Sequence, residues 1–108
     1  MSSPKPFFPV LIWTKPYGKF CLSPEVIAEL RKYHGDDLNS SNIPRHDKRL
    51  IEVVIRLGLE RSNGNGNGDG LEIVFCTEGR YVIRRNNKRD PCERMIQTSD
   101  VKEDWIIP

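Results

Sequence analysis

The segment Arg45–Gly58 reads RHDKRLIEVVIRLG and has the apolar spacing of a single amphipathic helix. Asp47 stands just before the apolar run, where an N-cap residue is expected. The stripe that should face the core consists of Leu50, Ile51, Val54 and Leu57. Val53 and Ile55 widen this stripe, and so broad a face, rich in β-branched residues, predicts burial against a β-sheet.

Basic residues crowd the start of this helix, namely Arg45, Lys48 and Arg49. The helix macrodipole is already positive there, so a basic side chain at that end costs about 0.3–1 kcal/mol. We therefore expect an acidic side chain or an external anion to compensate these charges. Asp36 and Asp37, in the connector just before the helix, are the acidic residues we expect to do so.

The residues before this helix predict a β-hairpin followed by a first helix. Val10–Thr14 and Lys19–Leu22 have strand-like composition, and the intervening Lys15–Gly18 suits a type I turn. Ser23 is a suitable N-cap for the next helix, and Pro24 fits its first position. Gly35 is placed to end that helix.

The residues after Gly58 predict three more strands. These are Leu71–Cys76, Arg80–Arg85 and Glu93–Gln97, with Asn86-Asn87 as the turn between the last two. The apolar end Asp104–Ile107 is an optional last short strand. The sequence therefore predicts an α+β fold in the order β-β-α-α-β-β-β, an antiparallel sheet with two helices packed on one face.

The length fits one domain, residues 1–108. Residues 1–9 hold three prolines and predict an extended arm. Residues 62–70 alternate Gly with Asn and predict a flexible surface loop. This loop follows a helix and lacks a Gly-Lys-Ser/Thr ending, so a phosphate-binding loop of the nucleotide-hydrolase type is disfavoured.

Composition excludes several classes of protein. Hydrophobic residues make up 37% and charged residues 30%, which is outside the range of disordered chains. No apolar window of about 18 residues and no signal-peptide pattern appear, so we expect an intracellular protein that does not span a membrane. Cys21, Cys76 and Cys92 form no CxxC pair, and we expect reduced thiols and no metal or cofactor.

The case for catalysis is weak at the level of sequence. His34 and His46 could serve as an acid–base pair, but no spacing connects them. A cysteine nucleophile would need a histidine nearby, and Cys76 lies in an apolar strand where burial would keep it inert. We therefore expect a protein that acts without catalysis, and a small hydrolase or nuclease is the least favoured alternative.

Charge distribution gives the stronger signal, although the net charge is only +2. A second basic cluster lies on the predicted hairpin after Gly79, and a basic β-ribbon can bind an anionic partner. Such a hairpin can also be a solvated edge protected from aggregation by its charges. The predicted binding residues are Arg45, Lys48, Arg49, Arg80, Arg84, Arg85, Lys88 and Arg89. Their partner would be a nucleic acid or an acidic protein surface.

Several segments together resemble short uncharacterised proteins encoded by large eukaryotic DNA viruses and some phages. The similarity spans about residues 43–107 and is carried by Arg45–Val54, Leu71–Val74, Arg80–Ile83 and Trp105–Ile107. The chain departs from that pattern in having Asn86-Asn87 where the pattern has an Asp-Gly turn. The resemblance implies no known activity. The runner-up to a binding role is a structural or assembly component, for example of a virion, whose basic residues only give solubility. A homo-oligomer is left open.

Overall fold

The computed structural model describes residues 8–65, 70–87, 90–97 and 104–107. Within these residues β1 pairs antiparallel with β2, and β3 pairs antiparallel with β4. The α+β class and the order of the elements are confirmed. The elements are β1 (Phe8–Trp13), α1 (Pro24–His34), α2 (Lys48–Leu57), α3 (Leu59–Ser62), β2 (Leu71–Cys76), β3 (Val82–Asn87) and β4 (Asp90–Ile96).

The ends of α1 follow from local sequence signals. The Ser23 hydroxyl oxygen accepts a hydrogen bond from the backbone N–H of Val26, and Pro24 occupies the first turn, where no backbone N–H is needed. The helix ends at Gly35, whose N–H donates to the carbonyl of Arg31. Gly35 has a positive φ of 95°, a conformation that costs little only for glycine.

Helix α2 also begins and ends as predicted. The Asp47 carboxylate accepts a hydrogen bond from the backbone N–H of Leu50 at 3.0 Å, and Gly58 ends the helix. Leu50, Ile51, Val53 and Val54 are buried. Ile55 is exposed, so the apolar face is narrower than its β-branched residues suggest.

Strand β1 lies between two clusters of apolar side chains. Because successive side chains alternate across a strand, Leu11 and Trp13 pack with α1 and α2, whereas Val10 and Ile12 pack on the other face. That second cluster also contains Cys76 and Tyr81. A strand buried on both faces needs a partner along its full length.

Strand β2 is that partner, and the predicted hairpin between residues 10–14 and 19–22 does not form. The register runs from Phe8 opposite Cys76 to Trp13 opposite Leu71. The segment 19–22 contributes one bridge, between Leu22 and Asn63. The expected single sheet is two separate two-stranded sheets within the described residues. The terminal segment joins through one bridge, between Tyr81 and Ile106.

The predicted arm and loop are partly described. Phe8 and Pro9 belong to β1, and residues 1–7 of the arm lie outside the described residues. Ser62 and Asn63, at the start of the predicted flexible loop, are buried, and residues 66–69 lie outside the described part. No helix of the described segments combines the length and hydrophobicity that crossing a bilayer requires.

Candidate anion-binding cleft

Glu93 of β4 compensates the charge of Arg45. The two side chains form a bidentate ion pair, Nη1 to Oε1 at 2.7 Å and Nη2 to Oε2 at 2.8 Å. Only 19% of the Arg45 side chain and 8% of the Glu93 side chain are exposed. The expectation that Asp36 or Asp37 would compensate Arg45 is therefore wrong. The packing of β4 beside β1 brings Glu93 closer than its position in the sequence indicates.

This ion pair also covers the edge of β1 that β2 leaves open. The backbone N–H of Leu11 donates to the carbonyl of Arg45 at 2.9 Å, and the guanidinium of Arg45 donates to the carbonyl of Leu11 at 3.2 Å. The backbone N–H of Trp13 donates to Oε1 of Glu93 at 2.8 Å. Because buried backbone groups need partners, the pair satisfies this edge and joins the two sheets.

The ring of Phe20 fixes the position of the Arg45 guanidinium, whose central carbon lies 3.4 Å from the ring centroid. Stacking on an aromatic face and a bidentate carboxylate together hold an arginine in one orientation. Arg45 was predicted as a binding residue because of its charge. Its contacts give it a structural role at the wall of a cleft.

That cleft has a volume of about 540 Å³, within the range of small-ligand sites. Its walls come from the loop after β1, the connector before α2 and the β3–β4 hairpin. The lining residues are Lys19, Phe20, Cys21, Asn39, Ser40, Ser41, Arg45, Arg85, Pro91 and Glu93. The structure therefore brings Arg45 and Arg85, from the two predicted basic clusters, to one cavity.

Hydrogen bonds fix the loop that carries Lys19. The Asn65 amide donates to the carbonyl of Lys19 at 2.8 Å, and the N–H of Gly64 donates to the carbonyl of Cys21 at 2.9 Å. The hydroxyl oxygen of Ser40 accepts from the N–H of Leu22 at 2.9 Å. Since this oxygen acts as the acceptor, the Ser40 hydroxyl proton remains available to donate.

The cleft carries a net positive charge. Arg45 and Glu93 neutralise each other, whereas Lys19 and Arg85 are exposed and have no ion-pair partner among the residues that the structure describes. An ammonium, a guanidinium and a hydroxyl donor around one cavity can hold an anion. Arg85 was predicted as a binding residue. Lys19 was not, because nothing in its local sequence distinguishes it from other surface lysines.

Lys48 and Arg49, two further predicted binding residues, do not line the cleft. Lys48 lines a separate apolar cavity of about 380 Å³, beside Phe8 and His46. The Arg49 guanidinium lies over the ring of Tyr33 at 4.2 Å and pairs with Glu52 at 3.5 Å. The three basic residues at the start of α2 therefore point to three different environments.

The basic residues of the hairpin also lie in different environments. The Arg80 guanidinium lies over the ring of Trp105 at 4.0 Å. Arg84 and Arg85 both line a groove of about 370 Å³ on β3. Lys88 and Arg89 lie outside the described residues. Arg85 is the predicted residue that links this groove to the cleft.

The histidines have separate partners. Nδ1 of His46 lies within hydrogen-bond distance of the phenol oxygen of Tyr81, at 2.6 Å. Burial lowers the pKa of His46 and raises that of Tyr81 to about 12. His34 instead contacts Asp47 at 3.3 Å.

The thiols and the comparisons point to no reaction. Cys76 is buried, and its thiol donates to the carbonyl of Arg80 at 3.1 Å. Across the described segments, no three His, Cys, Asp or Glu side chains group closely enough to hold a metal ion. Comparisons with protein-family models, curated proteins and solved structures yield no match to this chain. The resemblance to viral and phage proteins stays a prediction.

Proposed function

We propose that this chain is a small non-catalytic binding protein that holds an anionic partner between Lys19 and Arg85. The observation that carries the proposal is the cleft of about 540 Å³ in which neither of these two cations has an ion-pair partner among the described residues, beside the Ser40 hydroxyl. An acidic protein surface and a nucleic acid both present such anionic groups.

The contacts within the cleft favour anion binding over charged residues that serve only to stabilise the fold. Glu93 lies in the cleft, but both its oxygens are engaged by Arg45, so little negative charge is left to repel an anion. Lys19 and Arg85 come from different segments, one after β1 and one on β3. An anion between them would therefore connect the two sheets.

The contacts of the histidines favour binding over catalysis. A general base must have its nitrogen available to a substrate proton, and Nδ1 of His46 is already hydrogen-bonded to the phenol of Tyr81. His34 lies at the end of α1 beside Asp47, the residue that caps α2. These contacts support a role for each histidine in holding helix ends and core residues together.

Binding of labelled polyanions tests the proposal. Fluorescence anisotropy would be measured with poly-L-glutamate and with a single-stranded DNA of about 12 nucleotides, at about 50 mM salt. The double variant Lys19→Ala/Arg85→Ala should bind at least about tenfold more weakly, since two charged contacts are lost. The matched control is Lys32→Ala/Arg61→Ala, which removes the same charge from exposed ion pairs elsewhere.

Two results would contradict the proposal. An equal loss of affinity in both double variants would mean that net charge alone attracts the probes. Absence of binding by the unaltered protein at low salt, together with a concentration-dependent oligomer, would favour the structural or assembly role. Light scattering on the same samples would show such an oligomer.

A further inference from the structure

We infer that the anionic partner is a single-stranded nucleic acid, with one backbone phosphate bound between Lys19 and Arg85. This inference rests on the proposed function and names the class of ligand that the same cleft takes. Three features of the cleft and its surroundings carry it. They are the arrangement of its donors, the groove next to it and an exposed aromatic ring.

The donors of the cleft come from separate parts of the chain. Lys19, Ser40 and Arg85 belong to three different segments of the chain, and all three line the same cavity. A carboxylate is planar, and one guanidinium can satisfy both its oxygens, as Arg45 does for Glu93. A phosphate is tetrahedral and accepts hydrogen bonds from several sides. The donor arrangement therefore fits phosphate better than an acidic side chain.

Arg85 also lines a second groove. This groove has a volume of about 370 Å³, and Arg85 belongs to the lining of both cavities. The groove is lined by Val82, Ile83, Arg84, Arg85, Asp104 and Ile106. Its apolar residues Val82, Ile83 and Ile106 can contact a sugar or a base next to the phosphate at Arg85. A polymer that alternates apolar and anionic groups can contact both cavities at Arg85.

Tyr17 supplies a ring on which a base can stack. Its side chain is 50% exposed, and it lies two residues before Lys19 on the same loop. The indole N–H of Trp13 donates to the carbonyl of Tyr17 at 3.0 Å, which fixes the loop at this point. Only a single strand exposes the faces of its bases to such a ring, whereas a duplex stacks them internally.

A salt series on single-stranded DNA and RNA oligonucleotides of about 12 nucleotides tests the inference. One phosphate bound between Lys19 and Arg85 predicts that the logarithm of the binding constant falls with the logarithm of salt concentration with a slope of about −0.7. The double variant Lys19→Ala/Arg85→Ala should remove this salt dependence. Tyr17→Ala should weaken binding about fivefold or more and leave the slope unchanged, because it removes stacking without charge.

The controls separate this inference from the proposed function. Tyr33→Ala removes another exposed tyrosine, on α1 beside Arg49, and should leave affinity unchanged. If poly-L-glutamate binds as tightly as the oligonucleotide and the Lys19/Arg85 double variant weakens both, the proposed function stands and the nucleic-acid inference fails. Equal affinity for single strands and duplexes would also overturn the inference. If no polyanion binds, both proposals fail together.

Discussion

Replacing Glu93 with glutamine should destabilise the protein by about 3 kcal/mol. Glutamine has nearly the same shape, and its carbonyl can still accept the backbone N–H of Trp13. Its amide N–H groups, however, would face the guanidinium of Arg45, which would keep its charge and lose its counter-ion. Breaking a buried ion pair by removing one partner costs about 3–5 kcal/mol, and the 19% exposure of Arg45 places this variant at the lower end.

Urea unfolding at neutral pH measures the loss. The free energy of unfolding should fall while its dependence on urea stays the same, because the surface exposed on unfolding does not change. The matched control is Glu25→Gln. Arg61 binds Glu25 through two hydrogen bonds, at 3.2 and 2.8 Å, but these side chains are 62% and 51% exposed. An exposed pair of similar geometry should contribute less than about 1 kcal/mol.

A double-mutant cycle separates the ion pair from the packing of its side chains. Arg45→Met leaves an apolar side chain beside Phe20 and removes the charge, and the cycle adds Glu93→Gln in both backgrounds. The coupling energy between the two positions should be about 2 kcal/mol, within the range of contacting residues. If Glu93→Gln costs no more than Glu25→Gln, the pair does not hold the sheets together and the reasoning is refuted.

The remaining predictions concern pH, a buried glycine and the cleft wall. The pKa of His46 is lowered below 6.5, so the contribution of neutral His46 to the free energy of unfolding is full above pH 6.5 and is lost as the pH falls below it. His46→Phe should reduce that loss, measured by urea unfolding. The pKa of Tyr81 is raised to about 12, so stability should also fall as the pH rises from 10 toward 12, and Tyr81→Phe should abolish that fall. Gly70→Ala should cost about 3 kcal/mol of stability, because Gly70 has a φ of 122° and the added Cβ would clash with the buried ring of Trp13. Gly79→Ala should cost only about 1 kcal/mol, because Gly79 has a φ of 78° but open space around it. Equal losses of Tm in the two variants would contradict this prediction. Ser40→Ala should cost about 1 kcal/mol by leaving the N–H of Leu22 without its acceptor, measured by the same urea unfolding.

The helix ends could be predicted from the sequence because their causes are local. Ser23 and Asp47 each cap a backbone N–H only three residues away, and Gly35 ends its helix through one nearby carbonyl. The partner of β1 could not be predicted in the same way. Residues 19–22 are nearest along the chain, but the burial of β1 on both faces selects β2, and that burial exists only in the folded protein.

The difference between local and long-range causes also explains which part of the site could be predicted. That Arg45 needs compensation follows from the helix dipole, a local property, but the acid that supplies it is 48 residues away in the sequence. Asp37, the nearer candidate, instead lines a cavity with His34 at the other end of the connector. Arg85 was identifiable from its basic neighbours. Lys19 becomes special only when the loop after β1 and the β3–β4 hairpin meet.

Folding and binding can be examined separately in this cleft because its charges divide into two groups. Arg45 and Glu93 are mostly buried and satisfy the edge of β1, so changing either one alters the wall of the cleft and the stability of the fold together. Lys19 and Arg85 are exposed, and substitution of either should change the free energy of unfolding by less than about 0.5 kcal/mol. If Arg45→Met abolishes anion binding, the cause can be either the altered cleft wall or the destabilised fold. If Arg85→Ala abolishes binding and leaves stability unchanged, the cause is the lost contact with the anion. Arg45 is consequently a weaker probe of function than Arg85.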